Sequence, residues 1–175
     1  MALRAAITDV QHRYALGIDT RDWDLYRSVF VERVRFDFTA WHGGAAEELA
    51  ADEWVARVRA RLSGFDGTQH QMSNHIVTPH ERGVTCLTYI IARHYLRIDG
   101  THHVQAIGGY YTNELITERG EWRIAQCRLS VVWTEGDRAV RQSRAALGSA
   151  RHASFDKFSV ILRQPLDERD GGFRA

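Results

Sequence analysis

Four long strand-like runs follow one another almost without interruption in the second half of this chain. They restrict its architecture more than any other feature. The first covers about Gln69 to Thr78, the second Val84 to Ile98, the third about His102 to Thr117 and the fourth Trp122 to Trp133. The second run is rich in Thr, Tyr, Ile and Val, which suit a pleated, half-buried surface. Pro79 to Gly83 is turn chemistry, Asp99-Gly100 is a strong hairpin signal, and Arg119-Gly120 makes the last turn. Links this short join antiparallel neighbours, because a parallel pair needs a crossover of a dozen residues or more. The second half is expected to be an antiparallel meander.

The first half has a different period. Leu3, Ile7, Val10, Tyr14 and Ile18 recur at three- and four-residue spacing and fall on one face of a helix. Asp22 is placed to cap a second short helix whose apolar face is Leu25, Tyr26, Val29 and Phe30. Val34, Phe36 and Phe38 alternate with Arg35 and Asp37 as a short strand would. After the Gly43-Gly44 break, Asp52 is expected to cap a third helix, with Trp54, Val55, Val58 and Leu62 turned inward. Helices followed by long antiparallel strands make an α+β chain with helices on one face of a curved sheet. Such a layer pair can close into a cone around an apolar pocket. The domain is expected over residues 1–135. Residues 136–175 form a C-terminal tail that covers the pocket or an interface. Within the tail, Asp137 to Leu147 reads as a helix, Phe158 to Leu162 as a short strand, and the last residues as frayed.

Composition excludes several chemistries. With 175 residues and 44% hydrophobic side chains, the chain can bury a core without disulfides or a structural metal. Cys86 and Cys127 are the only cysteines, so there is no disulfide framework and no cysteine-rich zinc site. A formal net charge of +1 lacks the basic excess of a nucleic-acid binder. Lys157 is the only lysine, far from the expected pocket, which leaves a Schiff-base mechanism without a residue. No phosphate-binding loop, dinucleotide fingerprint, HExxH or GxSxG motif is present. The N-terminus has no apolar core of a signal peptide, and no run of about 18 apolar residues would span a membrane. The expectation is a cytoplasmic protein with reduced thiols, no membrane contact and no nucleic-acid partner.

Nine histidines remain as the conspicuous polar feature. Strand alternation puts His70, Met72, Asn74 and Ile76 on one face and Gln71, Ser73 and His75 on the other. His94 comes late in the apolar second run. Asp19 ends the first helix, five residues after Tyr14. If the helix end lies over the concave face of the sheet, these residues meet. A His–Asp pair in an apolar pocket is acid–base equipment: the carboxylate orients the imidazole and stabilises its protonated form. A tyrosine hydroxyl can polarise a leaving group. The same residue types have plainer uses, since an aspartate at a helix end also serves as a cap. His75 and His80 read as surface or turn residues, and His102-His103 as the flank of a hairpin. A zinc site built from His70, His94 and His102 lacks the helical ligand spacing that would support it.

Several segments together resemble the SnoaL-like branch of the NTF2-like superfamily, over about residues 3–135. They are Tyr14 with Ile18-Asp19 and Arg21-Asp22-Trp23, Thr68-Gln69-His70 with Ser73-Asn74, and Ala92-Arg93-His94. Gly108-Gly109-Tyr110-Tyr111-Thr112-Asn113-Glu114 and Gly120-Glu121-Trp122-Arg123-Ile124-Ala125 follow. The resemblance extends to scytalone dehydratase, bile-acid dehydratase and hexachlorocyclohexane dehydrochlorinase. It implies the cone fold and a catalytic dyad of Asp19 and His70. By the same resemblance, His70 is base and then acid, Asp19 orients it, and Tyr14 and His94 hold the departing oxygen or halide. Many relatives have an arginine in the last strand where this chain has Cys127, next to Arg128. Alternation puts those two on opposite faces, which argues against the dehydrochlorinase activity itself.

The resulting expectation is a lyase without cofactor or metal, acting by dehydration or a related elimination on a hydrophobic cyclic small molecule. Trp23, Met72, Asn74 and Tyr110 would contact substrate, and Trp54, Tyr89 and Trp133 would add apolar wall. An isomerase with the same dyad is the near alternative. A non-catalytic ligand-binding or assembly protein, or a small dioxygenase subunit, would share the fold without the dyad. The relatives suggest a homodimer or homotrimer formed through the outer sheet face.

Overall fold

The computed structural model describes residues 1–136, so the tail readings, including the helix and strand expected there, lie outside the described residues. Ten elements follow in the order α1 (Ala2–Thr20), α2 (Trp23–Ser28), β1 (Phe30–Asp37), α3 (Thr39–His42), β2 (Glu47–Ala50), α4 (Ala51–Leu62), β3 (Gly67–His80), β4 (Gly83–Ile98), β5 (Thr101–Glu118) and β6 (Glu121–Gly136). The strands form one six-stranded sheet in the order β2-β1-β6-β5-β4-β3. All neighbours are antiparallel except β1 and β6. The expected meander is present as β3 to β6, and the α+β architecture with helices on a curved, unclosed sheet holds.

The face of α1 read from its period is the buried one: Ile7, Val10, Tyr14 and Ile18 are at most 3% exposed. They meet an aromatic cluster from three other elements. Tyr14 packs edge-on against Tyr26 and Phe30, Phe30 against Phe36, and Trp54 stacks on Phe36 with centroids 4.0 Å apart. Trp54, partly buried, also donates its indole N–H to the hydroxyl of the buried Tyr26 at 2.8 Å, so the two polar tips satisfy each other. Where α1 and α2 cross, Gly17 lets the backbones touch. A Cβ there would lie 2.6 Å from the Tyr26 backbone nitrogen. Gly17→Ala is therefore expected to destabilise the chain by about 1–3 kcal/mol, because the neighbour that must yield is main chain. A melting temperature equal to the parent's would show that the two helices separate freely.

Three expectations about elements change. Val29 and Phe30 do not continue α2; strand β1 begins at Phe30, where the β-branched and aromatic run starts. Asp52 does not cap α4. Strand β2 runs straight into that helix, so Ala50 occupies the cap position and Asp52 instead bonds Arg27 at 2.7 Å. The turn expected at Pro79 is shorter, since β3 continues to His80. Proline is tolerated there because β3 is an edge strand and its missing N–H breaks no ladder. Asp22 caps α2 as expected, accepting from the Leu25 N–H at 2.9 Å.

The edge of β3 is guarded by α1. The Asp19 carboxylate accepts the His70 main-chain N–H at 2.6 Å, and Arg4 donates to the His75 carbonyl at 2.7 Å. An open row of backbone donors and acceptors would invite pairing with another chain, and these contacts blunt it. The first of them also brings a carboxylate to the strand that carries His70.

Candidate active site

The register of β3 with β4 decides which side chains face the helices. Thr68, His70 and Met72 pair with His94, Ala92 and Ile90, and all six lie on the concave face. Gln69, Gln71 and Ser73 pair with Arg93, Ile91 and Tyr89 on the convex one. A bulge between Ser73 and Ile76 then breaks the alternation. Asn74 takes φ 52° in the bulge, a left-handed conformation that asparagine tolerates. The extra residue moves His75 and Val77 to the inner side and leaves Ile76 56% exposed. The expected face of His70, Met72, Asn74 and Ile76 therefore holds only for its first two members. A bulge shifts phase by one residue, which the period alone does not show.

Asp19 and His70 meet. His70 Nδ1 lies 2.7 Å from Asp19 Oδ1, and the His70 side chain is 6% exposed. The carboxylate has no proton to give, so Nδ1 carries the hydrogen and donates it. That fixes the tautomer and leaves the lone pair on Nε2, at the side of the ring away from Asp19. Thr68, two residues before His70 on the same face, donates its hydroxyl to Asp19 Oδ1 at 3.0 Å. Arg21 donates to Thr68 Oγ1 at 3.0 Å and to the Ile18 and Leu62 carbonyls. Burial lowers the pKa of the Arg21 guanidinium, and the Asp19 charge opposes that shift.

His94 faces the dyad from β4. Its ring is perpendicular to that of His70, with centroids 5.9 Å apart, and leans on Phe65 at 4.9 Å. His94, Phe65, Leu62, Trp41, His42, Arg61 and Gln105 line a cavity of about 190 Å³. A larger depression of about 630 Å³ is lined by both Asp19 and His70, neither of which lines the smaller cavity. Its lining includes His12 and Leu16 of α1, Gln71, Ser73 and Tyr89 of the convex face, and Trp133. Because both faces of β3 contribute, this depression wraps over the sheet edge and is not the cone interior. Met72 lines it from the concave side.

The other nominated residues lie elsewhere. Tyr14 is 2% exposed, its hydroxyl is 3.4 Å from that of Tyr111, and it lines neither cavity. Burial raises the pKa of both phenols, so they keep their protons. Trp23 packs on Tyr26 beneath the Arg21 guanidinium, outside both cavities. Asn74 is in the bulge and exposed. Tyr110 pairs with Tyr89 across the convex face, their centroids 6.4 Å apart. Tyr89 and Trp133 are also on that outer face, so they are not walls of the cone. Tyr89 is out of phase with its neighbour Ile90, and Trp133 pairs with Gly108, out of phase with Gly109. Cys127 is buried, and burial pushes its thiol pKa up. Arg128, on the other face as alternation required, pairs with Asp37 at 3.1 Å. The position where many relatives carry an arginine is thus held by an un-ionised thiol.

Sequence reading gave no role to Thr68, Trp41 or Gln105, and named Arg21 only as part of a motif. The signal for Thr68 was present, since it shares the His70 face by alternation. His75, expected at the surface or in a turn, is half-buried in β3, with Nδ1 2.7 Å from Thr88 Oγ1 and its ring edge-on to His12. Burial lowers the His75 pKa from 6.5, and the nearby charges of His12 and Arg4 add to this. The folded state then binds fewer protons than the unfolded one. This contribution to stability is complete above about pH 6.5 and is lost as pH falls below that value. Thermal melts between pH 7.5 and 5 should show the decline, and His75→Gln should flatten it. An equal slope in the variant would assign the decline to other groups.

Among the described residues, no group of three or more His, Cys, Asp or Glu is placed to hold a metal ion, and no helix is long and apolar enough to cross a membrane. The model of the SnoaL-like domain matches residues 1–128. The chain belongs to the SnoaL-like family. A solved structure of the Kfla4162 protein from Kribbella flavida is 27% identical, covering 75% of this chain and 92% of that one, with a TM-score of 0.71. A candidate scytalone dehydratase from Novosphingobium aromaticivorans is similar at 20% identity, covering 76% and 86%, with a TM-score of 0.64. A type 2 hexachlorocyclohexane dehydrochlorinase is similar at 19% identity, covering 78% and 89%, with a TM-score of 0.63. At these last two identities the likeness is one of fold. No curated protein matches the chain.

Proposed function

We propose that this SnoaL-like protein is a cofactor-independent lyase that removes the elements of water, or a comparable acid, from a hydrophobic cyclic small molecule. The observation that carries the reading is the 2.7 Å contact between His70 Nδ1 and Asp19 Oδ1 at a side chain almost closed to solvent. In the proposed reaction, His70 Nε2 takes the proton from a carbon next to an activating group. The C–H electron pair becomes the new double bond, and the leaving group departs from the adjacent carbon. The imidazolium, paired with Asp19, returns the proton to a departing hydroxyl, which leaves as water. His94 is read as a hydrogen-bonding partner of the leaving group, and Phe65, Trp41 and Leu62 as its apolar surroundings. The candidate scytalone dehydratase and the dehydrochlorinase share the fold on which this reading draws.

A panel of hydroxylated and halogenated cyclic compounds, followed by mass spectrometry, tests the proposal. The expected product is lighter by water or hydrogen halide, and a chelator leaves the rate unchanged. A product of unchanged mass would favour an isomerase using the same base, and binding without turnover would favour a carrier. Assembly as a homodimer or homotrimer through the outer sheet face is part of the same reading. It is supported by Val132, Tyr89 and Trp133, which are 68%, 50% and 40% exposed. A cytoplasmic location is likewise proposed, consistent with two buried free thiols.

A further inference from the structure

Three donors converge on the Asp19 carboxylate, and only one of them belongs to the imidazole. Oδ1 receives the Thr68 hydroxyl at 3.0 Å and His70 Nδ1 at 2.7 Å, while Oδ2 receives the His70 main-chain N–H at 2.6 Å. The Thr68 oxygen has a second neighbour, Arg21 Nη1, also at 3.0 Å. A guanidinium can only donate. The Thr68 hydroxyl must therefore accept from Arg21 and send its single proton to Asp19. The direction of the whole chain, Arg21 to Thr68 to Asp19, follows from the donor inventory alone.

Arg21 is itself held firmly. It ends α1 in a left-handed conformation, φ 62° and ψ 23°, which is costly for a residue with a Cβ. Its N–H bonds the Ile18 carbonyl, and its guanidinium reaches the Ile18 and Leu62 carbonyls and Thr68. It ties the end of α1 to the end of α4 and the start of β3, the three segments that meet at the dyad.

We propose that Arg21, acting through the Thr68 hydroxyl, is a positioning residue that locks the rotamer of Asp19 and draws part of its negative charge away from His70. The proposal rests on the reading of Asp19 and His70 as the proton-transfer pair. A carboxylate that shares its lone pairs with Thr68 and lies near a cation holds an imidazolium less tightly than a bare one. The base is then able to release its proton at the end of a cycle. The charged or titratable side chains facing the pair include Arg21 from the helix end, His12 from α1, His94 from β4 and Tyr111 from β5.

The test is a ring-nitrogen NMR titration of His70 in the full chain labelled with ¹⁵N, which needs no substrate. Thr68→Val keeps the shape and removes only the hydroxyl. It is expected to raise the ratio of imidazolium to neutral ring roughly threefold at a fixed pH near the midpoint, a shift of about half a pH unit. Thr68→Ser should restore the parent curve. Arg21→Met should shift the curve in the same direction, and the double variant should add little. A Thr68→Val curve that overlays the parent overturns the proposal. So does a shift in Arg21→Met without one in Thr68→Val, because the effect would then bypass the hydroxyl. A chain that eliminates nothing from any substrate yet shows the threefold change loses the lyase reading and keeps this one.

Discussion

Asp19→Asn is expected to lower turnover by about 10⁴-fold while the fold remains intact, and His70→Ala by at least a hundredfold and up to about 10⁴-fold. The two losses have different physical origins. Alanine removes the base. Asparagine keeps nearly the same shape but offers an amide N–H₂ where the carboxylate offered only lone pairs. At 2.7 Å from Nδ1, that amide can donate and so favour the tautomer with its hydrogen on Nε2. The lone pair would then face the new amide, and the ring could no longer accept a proton from substrate. The measurement is kcat on the substrate found by the screen, with circular dichroism and melting curves to show that each variant folds. Full activity in either variant would remove the dyad from the mechanism. A large rise in KM with kcat unchanged would reassign the pair to binding.

Phe30→Ala is expected to cost about 3–5 kcal/mol, the largest stability effect of any change considered. The ring is fully buried and contacts Tyr14, Tyr26 and Phe36, with centroids 5.9, 5.1 and 5.5 Å away. Its removal leaves a void that three rings cannot fill without leaving their rotamers, and two of them carry hydroxyls in hydrogen bonds. For a domain of this size the melting temperature should fall by roughly 10–20 °C. Chemical denaturation gives the free energy directly. A loss below about 1 kcal/mol would mean that the aromatic cluster is loosely packed. The experiment also bears on the site, since Tyr14 lies one helical turn before Ile18 and Asp19 on the helix that presents the carboxylate.

Much of the architecture was legible because it follows from local rules. The face of α1 was readable from the three- and four-residue spacing of Ile7, Val10, Tyr14 and Ile18. The hairpins at Asp99-Gly100 and Arg119-Gly120 followed from residues that accept positive φ, and both turns have it. The short elements β2 and α3 were missed, since four residues each carry too little pattern to register. The inner face of β3 was misread beyond Ser73 because a bulge costs one residue of phase and leaves no trace in the hydrophobic period. Tyr110, Tyr89 and Trp133 were assigned to the pocket as large aromatic residues, but only strand pairing shows that their parity puts them outside.

Sequence alone determined most of the secondary structure, the order of helices before meander, the resemblance to a SnoaL-like family and the two residue types able to move a proton. Those depend on spacing, turn chemistry and side-chain type, all of which are properties of short stretches. The tertiary structure alone decided that Asp19 reaches His70, which side of the ring is left free, and that Thr68 and Arg21 stand behind the carboxylate. Thr68 is 49 positions from Asp19 along the chain and 47 from Arg21. Contact over that separation depends on how a helix end seats against a sheet edge, which is set by packing across the whole core and by no local signal.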